Sequence, residues 1–132
     1  MNRIIKFRAW DKYESKMLYL RDIVHDAFLI MFFHGILMGE HSVKHMGVIH
    51  EFIPMQFTGL TDKNGKEIYE GDIVKYDSFM HTGTRNCPVM FVDGRFVAND
   101  ITLGFRGINK DKVEVIGNIY ENPNLLERKE DE

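Results

Sequence analysis

A chain of 132 residues, 44% hydrophobic and 28% charged, has the size and make-up of one globular domain with its own apolar core. Those proportions argue against intrinsic disorder away from the ends. A formal net charge of -3 and a pI near 6.1 deny the chain as a whole the cationic field that drives non-specific binding to nucleic acid or anionic lipid, leaving only a local basic patch for such a role.

Alanine occurs only at Ala9, Ala27 and Ala98, and the aliphatic content leans to β-branched residues, so mostly strand is expected. The single cysteine, Cys87, has no internal disulfide partner, and the opening Met-Asn-Arg does not read as a secretory leader; the expected compartment is a reducing cytoplasm. The apolar stretch from Ala27 to Met38 is interrupted by His34 and Gly35 and falls well short of the roughly 20 residues of a membrane-spanning helix. No membrane partner is expected.

In chain order, Ile4 to Trp10 alternates apolar Ile5, Phe7 and Ala9 with Lys6 and Arg8, the period of a strand with one wet face, and Met17 to Leu20 returns as the second arm of a hairpin. Arg21 to Ile53 fits neither a period of two nor a capped helix; Asp26 offers an N-cap, Phe28, Ile30, Phe32 and Phe33 suit a buried strand equally, and Gly35, Gly39 and Gly47 rule against one long helix. Met55 to Tyr69 reads as strand, tight turn, strand: Asn64-Gly65 is the pair that a two-residue hairpin turn favours, and Asp62 is placed to brace the turn with its carboxylate.

Glu70-Gly71-Asp72 punctuates the chain before a strand at Ile73 to Tyr76. Ser78 to Asn86 reads as a loop, and Asp93-Gly94 joins strands Val89 to Val92 and Arg95 to Ala98. Val113 to Ile116 supplies the last strong strand. Asn122 before Pro123 signals the start of a helical turn over Pro123 to Glu127, and the charged tail 128–132 is expected to fray.

Four blocks carry a family resemblance. These are Ile5 to Asp11, Met55 to Leu60, Asp62 to Val74, and Gly117 to Pro123 followed by Leu125-Leu126. In this order they resemble the YopX family of phage and prophage proteins. The strand pattern suggests a small barrel or sandwich with an N-terminal β-hairpin extension and little helix, and the resemblance implies a mainly β fold with a small SH3-like barrel. It implies one domain over 1–127, with an N-terminal lobe 1–54 and a barrel core 55–127. It also implies a phage or prophage origin and self-association, and it brings no assigned reaction and no catalytic or binding residues.

Each chemical constellation meets a simpler structural reading. His41 and His45 have the spacing of two metal ligands on a helix, with Glu40, His50 or Glu51 as a third, but the nearby glycines oppose the helix and no metal or other cofactor is expected. Glu67, Glu70, Asp72 and Asp77 have the chemistry of a metal-dependent hydrolase, yet Glu70 and Asp72 flank a turn glycine, where carboxylates serve backbone N–H groups. Cys87, next to Pro88, has no local nucleophile signature and suits a core, and Gly104 to Gly107 lacks the lysine and helix of a phosphate loop. No catalytic residue is assigned and no enzyme is expected.

Two binding readings remain. The first is a non-enzymatic contact module that pairs with itself or with another phage or host protein through Phe28, Phe32 and Phe33, in an apolar run exceeding the needs of a small barrel. The alternative is a nucleic-acid-binding barrel using Lys6, Arg8 and Trp10, which combine cations with an aromatic on the first strand.

Overall fold

The computed structural model describes residues 4–19, 34–35, 38–40, 42–77, 84–98, 101–102 and 113–126. The tail 128–132 and contact candidates Phe28, Phe32 and Phe33 lie outside the described residues. As the composition predicts, the chain is mainly β, with two antiparallel sheets that fit a small β-barrel architecture. It divides into two compact units, Ile4–Gln56 and one containing Phe57–Glu132.

The N-terminal unit is built on β1 (Phe7–Asp11), β2 (Lys16–Tyr19), β3 (Ser42–His45) and the first part of β4 (Val48–Thr61), in the spatial order β2-β1-β4-β3. The expected hairpin of β1 and β2 forms in the register Arg8↔Tyr19 to Asp11↔Lys16. Its burial departs from the simple alternation: Ile5 is 61% exposed while Arg8 is 3% exposed. The cause is cross-strand, since the Arg8 guanidinium lies 5.9 Å from the ring centre of its partner Tyr19, and a long aliphatic stem against an aromatic can be buried where a short polar chain cannot.

Of the blurred region before Ile53, residues 21–33, 36–37 and 41 lie outside the described residues, and the rest holds two turns, strand β3 and the start of β4. His34 and Gly35 are helical, and the helix closes where Met38 N–H donates to His34 O (3.1 Å) and Glu40 N–H to Gly35 O (2.8 Å), with Gly39 at φ +85° between them. Met46 and Gly47 then take positive φ together (51° and 80°), the signature of a two-residue turn matched to sheet twist, and join β3 to β4. β4 runs on for 14 residues, far beyond the Met55 to Leu60 segment that the alternation marks. Pro54 is tolerated because β3 pairs only as far as Glu51, leaving proline β1 as its ladder neighbour.

In the C-terminal unit the end of β4 pairs with β5 (Glu67–Tyr69), and β6 (Asp72–Asp77), β7 (Thr84–Val92), β8 (Arg95–Ala98), β9 (Ile101–Thr102) and β10 (Val113–Asn118) form a sheet in the order β10-β6-β7-β8-β9. Its core joins Ile68, Val74, Tyr76, Cys87, Val89, Ala98, Val113 and Val115, flanked by Leu60 and Phe96. Asp93 and Gly94 both take positive φ (52° and 79°) and make the expected two-residue turn.

The Asn64-Gly65 turn is different. Only Gly65 has positive φ (81°), and the turn is longer, with Gly65 N–H donating to Asp62 O (3.0 Å) and Asp62 N–H to Lys66 O (2.7 Å). Pro123–Leu126 is a 3-10 turn, as the Asn-Pro signal anticipates in place if not in type. The Asn122 side chain, however, turns back to accept from Asn118 N–H (3.2 Å) instead of capping forward.

Candidate functional site

The polar groups that sequence chemistry singles out are mostly absorbed by the fold. Asp11, at the end of β1, is 1% exposed; its Oδ1 accepts from Tyr13 N–H (2.9 Å) and Glu14 N–H (3.2 Å), and its Oδ2 stands 3.3 Å from His50 Nδ1. The His50 ring is enclosed by Tyr13 at 4.9 Å and Phe52 at 6.0 Å between centroids. A carboxylate holding imidazole Nδ1 is half of a general-base arrangement. Here, at 6% exposure, the histidine has little surface to offer a substrate, and the pair ties the β1–β2 turn to β4.

Asp72 is 2% exposed and its Oδ2 accepts Tyr69 N–H at 2.8 Å, so this carboxylate serves the β5–β6 turn. Glu67 Oε2 accepts from the Tyr69 hydroxyl at 3.4 Å. Glu70 is half-buried in the same turn, and the Asp77 side chain lies outside the description. Cys87 is a buried core thiol 4.0 Å from Tyr76 Oη. Among the described residues no three histidine, cysteine or carboxylate side chains gather as a metal site, and His41 and the His45 side chain lie outside them.

Asp62 carries the densest polar network. Its Oδ1 accepts Asn64 N–H (2.8 Å) and Lys66 N–H (2.9 Å), and its Oδ2 accepts Val115 N–H (2.9 Å) from β10. Burial pushes this carboxyl up, but the N–H groups of Val115, Lys66 and Asn64 with the Lys66 charge pull it down further, to a net position below the ordinary 3.8. Lys63 N–H adds a bond to Val113 O (3.0 Å), so the turn occupies both backbone groups that β10 offers there. The bracing carboxylate is legible in the sequence; its grip on β10, 53 residues away, is not.

Of the proposed nucleic-acid trio, Lys6 and Trp10 are half-buried and Arg8 is packed against Tyr19, so the three do not form one open cationic face. What the C-terminal unit does present is apolar. At the end of β7, Met90, Phe91 and Val92 are 53%, 51% and 39% exposed, and Phe91 meets Phe96 across the hairpin at 5.0 Å. Asp93 and Arg95, both exposed, flank Gly94 at the tip. Three successive apolar residues cannot all face inward in a strand of period two, and that was the available signal.

The pattern of the YopX protein family matches residues 6–127. The chain belongs to the YopX family. Among solved structures it is similar to protein EF1440 from Enterococcus faecalis, with 31% identity, a TM-score of 0.59, and coverage of 96% of this chain and 100% of that one. The fold is shared with protein yopX from Bacillus subtilis at 23% identity and a TM-score of 0.57, again over 96% of this chain and 100% of that one. No curated protein matches. The YopX relationship accords with the fold and brings no reaction. Among the described residues no helix is long and apolar enough to cross a membrane.

Proposed function

We propose that this YopX-family chain is a non-enzymatic accessory protein of phage or prophage origin that acts by protein contact, with itself or with another phage or host protein. The observation that supports this reading is the exposed Met90-Phe91-Val92 run on β7. Successive strand residues point to opposite faces, so Met90 and Val92 expose apolar surface on one side of the hairpin and Phe91, paired with Phe96, on the other, and exposed apolar surface of this kind marks contact. A β-hairpin built on a two-residue turn holds them rigidly, so little ordering entropy is lost when they are covered. We read the C-terminal unit as the SH3-like barrel that the family resemblance implies, carrying this hairpin as its contact element in the bacterial cytoplasm.

The test is association of the full chain by light scattering and by co-purification from bacteria after prophage induction. The double variant Met90→Ser with Phe91→Ser should keep the wild-type circular dichroism and lose the associated species. Unchanged association in a folded double variant would remove the hairpin as the contact element, and a strictly monomeric wild type without any stoichiometric protein partner would remove the contact reading itself.

A further inference from the structure

Asn64 is the one asparagine of the chain followed by glycine. This dipeptide is chemically special, because the backbone nitrogen after the asparagine can attack the side-chain amide when no following side chain obstructs it. Both residues are exposed, and the space around Gly65 where a Cβ would stand is open, with nothing within 4 Å. Access by water and base is therefore unhindered. The turn itself opposes the reaction: the Gly65 N–H, whose nitrogen is the nucleophile, donates to Asp62 O at 3.0 Å, and the Asn64 N–H donates to Asp62 Oδ1 at 2.8 Å.

We propose that Asn64-Gly65 is a latent deamidation site that the Asp62 turn holds shut, and that its modification unlatches β10. When the turn opens, the Gly65 nitrogen loses its proton to solvent base and bonds to Asn64 Cγ, and ammonia leaves. The resulting succinimide adds water and opens at either carbonyl, giving aspartate or isoaspartate. Amide plus water thus becomes carboxylate plus ammonium, with no oxidant or cofactor.

Either product places a new negative charge two residues from the Asp62 carboxylate. Isoaspartate also lengthens the backbone between Asp62 and Lys66. The Asp62 contacts to Asn64 and Lys66 are spoiled, and with them the alignment of Oδ2 on Val115 N–H and of Lys63 N–H on Val113 O. Two backbone groups of β10, an edge strand of its sheet, lose their partners.

The experiment incubates the full chain in mildly alkaline buffer, folded and in urea, and follows the Asn64 peptide by liquid chromatography and mass spectrometry. Deamidation should be at least about tenfold slower in the folded chain, because reaction requires local opening. Asp62→Asn, confirmed folded by circular dichroism, should narrow that gap several-fold. Amide exchange at Gly65 in the wild type gives the same information without a variant: slow exchange agrees with gating. Fast exchange, or equal deamidation rates folded and in urea, would overturn it. The modified chain, separated by ion exchange, should melt below the unmodified one; an unchanged melting temperature would overturn the unlatching of β10.

Discussion

Two hairpins of the C-terminal unit look alike on paper and differ in what surrounds them. Asp62-Lys63-Asn64-Gly65 and Val92-Asp93-Gly94-Arg95 each end a strand with an acid, a glycine and a return strand. At the first, the acid turns inward and takes three backbone N–H groups, one from a distant strand. At the second, the acid and glycine simply make the turn, and the residues before it stand in solvent. A turn signal locates a reversal of the chain; whether that reversal becomes a structural lock or a projecting surface depends on the strand beside it.

The largest effect should come from removing the lock. Asp62→Ala leaves the Val115 N–H buried without its acceptor and strips two more from the turn, and it should destabilise the protein by about 3 kcal/mol in denaturant unfolding. The pH dependence has a definite sign. Because the folded carboxyl titrates below its unfolded value, its contribution is complete above the ordinary 3.8 and is lost as the pH falls through the lower folded value. The gap between wild type and Asp62→Ala should therefore narrow in strong acid, and a constant gap would separate the network from this charge.

Gly65→Val should cost about 2 kcal/mol, since a β-branched residue is strained at a φ of 81° even though the space is open. Gly94→Val should cost a similar amount for the same local reason, at a φ of 79°. Different penalties for the two variants would show that the turns differ in backbone demand as well as in side-chain surroundings. At the projecting hairpin, Phe91→Ala should change stability by only about 1 kcal/mol, the scale of one aromatic pair, while weakening association strongly. A large loss of stability there would make Phe91 a core residue and the exposed surface incidental.

The smallest effect belongs to the rim of the lock. Lys63 Nζ and Glu114 Oε2 are 3.4 Å apart with side chains 47% and 39% exposed. Lys63→Ala should shift stability by less than about 1 kcal/mol, because solvent screens such pairs. A larger loss would mean that the backbone bond from Lys63 to Val113 depends on the side chain.

Much of the fold was legible in the sequence. Asp93-Gly94, the Asp62 brace, the β6 and β10 strands and the Asn-Pro turn are local signals, and Asp72 serves its turn as the flanking glycine implies. Less of the candidate site was legible. Period-two alternation gave Arg8 a wet face, but the Tyr19 ring buries it. The contact candidates chosen from hydrophobicity, Phe28, Phe32 and Phe33, fall outside the described residues, and the apolar group that the structure does place at the surface lies at the end of β7.

By itself, then, the sequence determined where the chain turns and that it is mainly strand, because positive φ, proline geometry and β-branched composition act within a few residues. Tertiary structure alone decided which carboxylate grips a strand 53 residues away, how far β4 extends, and which apolar side chains stay wet. Those outcomes depend on the neighbouring strand across each ladder, and a neighbour distant in sequence leaves no local trace in the pattern of residues.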